Sequence, residues 1–212
     1  MILSHRHRFI FFAVPKTGTH SLRAALRPHL GDDDWEQCRL FVERHSPVEA
    51  LASKKHGHLS VRDVRPHLSD EIWRDYFKFA VVRNPWDRFI SNAFFAHRRR
   101  EHFARDPKPR LRRMAEGPRL TERLLSRPQH SFLSDDAGRL AMNHIGYFET
   151  LQDSFNEICA RIGIAPVPLD STNRTSHAGY RTYYDDDLKR LVGERYARDA
   201  EAFGYDFDGR VE

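Results

Sequence analysis

RFIFFAVPKTGTHS, residues 8–21, changes character halfway along. Its first half, Arg8 to Val14, is a short apolar, aromatic-rich run that stops at Pro15, which is how a buried strand of a parallel sheet reads. Beyond the stop the period changes. From Thr19 to Leu30, Leu22, Ala25, Leu26 and Leu30 fall near helical spacing behind a start rich in Thr, Ser and Gly. Strand, tight loop, helix is the unit that opens many nucleotide-binding α/β folds.

A second such unit follows. Tyr76 to Val82 (YFKFAVV) reads as a buried strand, Arg83-Asn84-Pro85 as a break, and Trp86 to His97 as a helix, with Pro85 suited to the first helical turn because its missing amide hydrogen is not needed there. Between the two units, Glu36 to Leu51 and Val61 to Trp73 read as helical or irregular. His97 to Arg127 is crowded with Arg, Pro and Lys and reads as a basic excursion rather than core. Ile145 to Phe148 is a short strand candidate. Leu151 to Ile162 follows as a helix with Leu151, Phe155, Ile158, Cys159 and Ile162 on its apolar face, and Asp185 to Phe203 as a terminal helix opened by an acidic cluster. The expected architecture is α/β, a three-layer fold with a mainly parallel central sheet and a P-loop-like nucleotide-binding core, formed as a single domain over residues 1–212.

The bulk composition agrees with one core: 212 residues, 40% apolar and 12% aromatic, are too few for two comfortable domains. Phe9 to Val14, the longest clearly apolar run, falls far below the roughly 20 residues that cross a bilayer, so no membrane span is expected. Cys38 and Cys159 are too far apart to read as a disulfide framework or a cysteine metal site. A formal charge of +5 favours an anionic partner and leaves nucleic acid, a phosphorylated cofactor and an acidic polysaccharide open.

The motifs narrow that choice. Pro15-Lys16-Thr17-Gly18-Thr19-His20-Ser21 lies where a strand becomes a helix, so backbone amides and the positive helix end can converge on one anion. Lys16 adds charge, Thr17, Thr19 and Ser21 add hydroxyls, and Gly18 permits close approach or positive φ. The loop is not a Walker A sequence, because the lysine precedes the glycine. A second anion site is expected at Arg83, which leaves a strand end, and Ser91, two turns into the following helix.

With both motifs in place the chain resembles the sulfotransferases that use 3′-phosphoadenosine 5′-phosphosulfate (PAPS), especially the carbohydrate and heparan sulfate 2-O-sulfotransferase-like branch. The resemblance covers nearly the whole chain, reaching Ile145-Gly146-Tyr147-Phe148-Glu149 and Phe203-Gly204-Tyr205. It implies that Lys16, Thr17, Gly18, Thr19, His20 and Ser21 hold the 5′-phosphosulfate. Arg83 and Ser91 would hold the 3′-phosphate, and Arg174, Thr175 and Ser176 would lie in a loop that closes over the nucleotide. Two phosphate sites suit a nucleotide phosphorylated at both ends. The product would be 3′,5′-bisphosphoadenosine (PAP).

Transfer to an alcohol needs a base for the hydroxyl proton and a cation for the leaving phosphate. Lys16 takes the second role by its motif. His56-Gly57-His58 resembles the segment that carries the base in the 2-O branch, with His58 the first choice and His56 the second; His20 sits among donor-binding residues. No HExxH or Cys/His cluster is present, and no metal is expected. The expected acceptor is a hydroxyl-bearing saccharide or glycoconjugate. The lack of an anchor implies a cytoplasmic bacterial enzyme or an excised lumenal catalytic domain. A small-molecule kinase would need a Walker loop and a magnesium carboxylate. A nucleic-acid-binding module on His97 to Arg127 would need more aromatics than Phe103, so no nucleic-acid partner is expected.

Overall fold

The computed structural model describes residues 1–37, 46–99, 103, 105–170 and 179–211. These residues form two compact units, one of Met1–Val82 with Gln129–Ser171 and one of Arg83–Pro128 with Thr172–Glu212.

The first unit holds a sheet of five strands among the described residues: β1 (Ile2–Ser4), β2 (Phe9–Phe12), β3 (Trp35–Glu36), β4 (Phe77–Val82) and β5 (His144–Tyr147), in the order β3-β1-β2-β4-β5. β2 pairs parallel with β4, in register Phe9 to Phe77, and β4 parallel with β5. β1 runs antiparallel to both β2 and β3, so four of the five strands share one direction. The mainly parallel α/β sheet expected from the sequence is present. The antiparallel β1 and the two-residue β3 are additions that so short a run of residues does not announce.

Strand alternation sorts the core. Phe9 and Phe11 of β2, with Phe79 and Val81 of β4, face Leu22 and Leu26 of α1 (Thr19–Leu26) and Phe155, Ile158, Cys159 and Ile162 of the helix Leu151–Ile162. Phe11 and Phe79 stack with ring centroids 5.2 Å apart. Each fully buried aromatic or aliphatic side chain here contributes about 1.5–3 kcal/mol. The opposite face carries Phe12 edge-on to Trp73, at 6.5 Å, and Lys78, whose ammonium lies 5.2 Å over the same indole and donates to the carbonyls of Trp73 and Tyr76. α4 (Asp70–Asp75), which carries Trp73, covers that side; the same unit holds the short helices α2 (Glu49–Ala52) and α3 (Val61–Val64), with α7 (His130–Leu133) packed on α3. Helix, sheet, helix makes the expected three layers.

One carboxylate ties the sheet's near edge. Asp34, 3% exposed, accepts from the Ser4 hydroxyl and the His5 amide, each at 2.6 Å, and from the amides of Gly31 at 2.8 Å and Arg6 at 3.2 Å. Burial alone would raise its pKa; these hydrogen bonds hold it below the ordinary value.

The second unit is helical. α5 (Pro85–His97) is capped by Asn84, whose side-chain oxygen accepts from the amides of Trp86 and Asp87. α6 (Lys108–Glu116) lies inside the stretch expected to be a basic excursion, yet Leu111 and Ala115 of α6, with Phe103 and Leu120, join the core around Trp86, Phe89, Ile90, Leu188 and Val192. An apolar pair at i, i+4, with Met114 beside it, seats that helix, while Arg113 faces out and Arg110 donates to His97 Nε2 at 3.2 Å. The expected terminal helix is divided into α9 (Asp186–Arg195) and α10 (Ala197–Phe203) at Tyr196, whose hydroxyl donates to the Ser126 carbonyl at 2.7 Å. No Pro marks that break, and Gly193 lies within α9 one turn before it.

The helix Leu151–Ile162, hereafter α8, follows β5 closely because Gly146 leaves room for it. A β-carbon at 146 would stand 2.9 Å from Ser154 Cβ and 3.3 Å from Val81 Cγ2. We expect Gly146→Ala to lower stability by about 1–3 kcal/mol, the usual range for overpacking a close-packed contact. Thermal and urea unfolding of the variant measure it, and an unchanged midpoint would contradict the packing described.

Candidate functional site

The sequence places its chemistry where β2 stops. Beyond Val14 the chain turns through Lys16, with φ 68°, and Gly18, with φ 78°, before α1 begins at Thr19. Left-handed backbone is ordinary for glycine. For lysine it costs on the order of 1–2 kcal/mol, the kind of strain found at functional loops. Gly18 is also crowded: a β-carbon there would come within 2.7 Å of Leu151 Cδ2 and 3.4 Å of Phe148. β5 and α8 thus press the loop into its curl.

The first bond of the helix ladder here runs from the Leu22 amide to the Gly18 carbonyl, at 3.2 Å. The amides of Thr19, His20 and Ser21 precede it and have no intrahelical acceptor, so they point out of the positive end of α1. Two of the hydroxyls expected to meet an anion are engaged inside the protein. Thr17, fully buried, donates to the Val14 carbonyl at 3.0 Å, and Ser21 donates to the Asp170 carbonyl at 2.6 Å. They hold the loop's shape, so the groups there suited to an anion are the amides, the Lys16 ammonium and the third expected hydroxyl, that of Thr19.

His58 meets the same strand exit. Its Nδ1 lies 2.7 Å from the Ala13 carbonyl oxygen. A carbonyl can only accept, so Nδ1 carries the proton and Nε2 keeps its lone pair. Burial is the main force on this imidazole, and repulsion from the Met1 amino group, Arg23 and His56 adds to it. Together they overcome the Ala13 hydrogen bond and push the pKa down to about 3. Leu59, fully buried, anchors the next position. Ser60 then caps α3, its hydroxyl accepting from the Asp63 amide while the Asp63 carboxylate accepts from the Ser60 amide. His20 is exposed, and its pKa is lowered by partial desolvation and by the charges of Arg23, Lys16 and Arg27.

Sequence reasoning passed over Arg23, which lies 3% exposed on α1 and donates from Nη2 to the Gly57 carbonyl at 2.9 Å. The available signal was a charged residue set beside Leu22 and Leu26 on the inward face of an amphipathic helix.

In the second unit Arg83, 8% exposed, stands just before α5, and its Nε donates to the Asp87 carboxylate at 2.8 Å. Asp87 fixes the direction of the guanidinium. Ser91, 2% exposed, lies on α5. Arg88 is the structural arginine of this motif: 2% exposed, it donates to the carbonyls of Arg127 at 2.9 Å and Leu125 at 3.3 Å.

The first unit therefore gathers Lys16, Thr17, Gly18, Thr19, His20, Ser21 and His58 around one strand exit, with His56 in the adjoining turn. In the second, Arg83 stands just before α5 and Ser91 lies midway along it. Arg174, Thr175 and Ser176, expected to close over a nucleotide, lie outside the described residues. Among the described residues no group of three or more His, Cys, Asp or Glu is arranged to hold a metal ion, and no helix is long and apolar enough to cross a membrane.

Comparison with known proteins follows the same lines. The model of the sulfotransferase family matches residues 1–206 of this chain. A solved structure, the crystal structure of a sulfotransferase from Alicyclobacillus acidocaldarius, is similar at 18% identity, covering 91% of this chain and 93% of that one with a TM-score of 0.40. No curated protein matches.

The His58 titration leaves a mark on stability. The folded imidazole binds a proton only near pH 3, whereas the unfolded one does so near 6.5, so the unfolded state holds more protons between those values. The stability that neutral His58 contributes is complete above about pH 6.5 and is lost as pH falls toward 3. Thermal midpoints measured from pH 7 to 4 should fall more steeply in the wild type than in His58→Gln; parallel curves would refute the buried neutral state.

Proposed function

From the premise that this chain belongs to the sulfotransferase family, and so is an enzyme of sulfuryl transfer to a hydroxyl-bearing acceptor, we propose that its donor is PAPS and that His58 is the base. The observation that carries the reading is the bond from His58 Nδ1–H to the Ala13 carbonyl. It presents an unprotonated Nε2 beside the strand exit that feeds the loop containing Lys16.

In this reading the acceptor oxygen attacks sulfur as the bond from sulfur to the 5′-phosphate oxygen breaks, and the electron pair departs with PAP. The acceptor proton passes to Nε2. Lys16 and the amides of Thr19, His20 and Ser21 stabilise the charge that grows on the leaving phosphate. A base this weak is adequate in two respects: the acceptor proton becomes acidic only as its oxygen bonds to sulfur, and the anionic donor raises the imidazole's proton affinity when it binds. His56 stays the second choice as base, and His20 a donor contact.

By the motif match, Arg83 and Ser91 take the 3′-phosphate, and Arg174, Thr175 and Ser176 close over the nucleotide. The family match runs through both compact units, which supports one catalytic domain. A saccharide or glycoconjugate acceptor, and membership of the heparan sulfate 2-O-like branch, rest on the His-Gly-His resemblance. No metal enters the chemistry proposed.

The experiment is transfer of labelled sulfate from PAPS to a panel of saccharide and simple alcohol acceptors. We expect His58→Ala to keep PAP affinity while turnover falls about 100-fold or more, the scale of losing a general base. Wild-type kcat/KM, which reports the free enzyme, should show no rise through pH 6.5, since the imidazole is already neutral there. Full turnover in His58→Ala, with His56→Ala inactive, moves the assignment to His56; full turnover in both removes it from this turn.

Arg83→Ala should weaken PAP about 10- to 100-fold, the worth of one charge-assisted contact, and should leave ATP, which has no 3′-phosphate, almost unaffected. Calorimetry with both nucleotides decides this, and an equal loss for the two would exclude a 3′-phosphate contact.

A further inference from the structure

The turn that carries His58 is held by a second, less obvious device. Arg23 and Glu36 face each other inside the first unit, with Nη1 and Oε1 3.5 Å apart and each side chain 4% exposed. Glu36 also accepts from Arg27 Nε at 2.7 Å and Nη2 at 2.9 Å. Burying an arginine and a carboxylate exacts a desolvation penalty that an apolar pair of similar volume avoids, so stability alone does not account for them.

What the buried guanidinium grips is the His-Gly-His turn. Its Nη2 donates to the Gly57 carbonyl at 2.9 Å, the same oxygen that accepts from the Met1 amino group at 2.5 Å. The turn is pressed so closely against it that a β-carbon at Gly57 would lie 2.4 Å from Nη2, 2.8 Å from Nη1 and 2.1 Å from the Gln37 carbonyl oxygen. One residue further on, the His58 ring is tied to Ala13. The two anchors, the exit of β2 and the body of α1, are the elements on either side of the loop that holds Lys16.

We propose that Arg23, oriented by Glu36, is a positioning residue that fixes the His58 imidazole relative to the Lys16 loop by clamping the Gly57 carbonyl from α1. The inference rests on the reading of His58 as the base. Arg23 acts through His58 and touches neither donor nor acceptor. Its charge, with that of the Met1 amino group, adds to burial in keeping the imidazole neutral.

The test is a double-mutant cycle on the full chain, with kcat measured at saturating PAPS and acceptor and PAP affinity measured by calorimetry. Arg23→Gln should lower kcat about 10- to 100-fold, the scale of a misplaced catalytic group, with PAP affinity held within about threefold. In the His58→Ala background the same change should lower the residual kcat less than about twofold, because residues that act as one unit are not additive. Equal fold-losses in the two backgrounds overturn the proposal, as does a loss carried by PAP affinity. Full turnover in His58→Ala alone overturns the base assignment itself, and the single variant reveals that before the cycle is closed. Should Arg23→Gln not fold, Glu36→Gln enters the same cycle. It keeps the volume and weakens the carboxylate's hold on Arg23 and Arg27 alike, and its smaller loss, about threefold or more, must also vanish without His58.

Discussion

A carbonyl oxygen at the end of β2 sets the terms for the rest of the first unit. Ala13 accepts the His58 proton at 2.7 Å, and because that oxygen has nothing to donate, one ring nitrogen is settled as donor and the other as acceptor. For the bond to form, β2 must end at a fixed height and the turn after Gly57 must approach it. The height follows from the sheet, since β2 is bonded on one side to β1 and on the other to β4 and cannot slide without exposing Phe9 and Phe11. The approach follows from the absence of a side chain at Gly57, where a β-carbon would strike backbone.

The loop between β2 and α1 is shaped by packing from a distance in sequence. Leu151 and Phe148 lie against Gly18, and they stand where they do because α8 follows β5 across the small residues Gly146 and Ser154. Apolar burial in this unit is therefore converted into the course of the loop backbone and the direction of the three amides that open α1. The rigid part of the molecule orients donors that would otherwise sample many directions, which is the preorganisation that the proposed donor site calls for.

Much of this was legible in the sequence. The runs ending at Val14 and Val82 announced β2 and β4 because both faces of those strands are buried. The apolar spacing from Leu151 to Ile162 gave that helix its correct bounds. β1 and β3 are too short to show a period, and the contact that ties the turn after β1 to the approach to β3, the Asp34 carboxylate accepting from Ser4, His5, Arg6 and Gly31, joins segments some 30 residues apart. The density of arginine in residues 97–127 hid the pair Leu111 and Ala115 that seats α6, and the hydroxyl bond from Tyr196, at the break, to Ser126 is a contact that no local signal encodes. Within the site, the residue types were readable but their commitments were not. That Thr17 and Ser21 spend their hydroxyl protons on main-chain carbonyls, or that Arg23 turns inward, emerges only when distant segments meet.

The left-handed backbone at Lys16 bears on how this chain can be engineered. Glycine or asparagine would sit at that φ of 68° with less strain, so a library ranked by heat resistance alone would drift away from lysine there. Under the leaving-group role proposed for Lys16, sorting for thermal hardiness and sorting for turnover pull this one codon in opposite directions, and a campaign on this scaffold holds position 16 fixed before it begins.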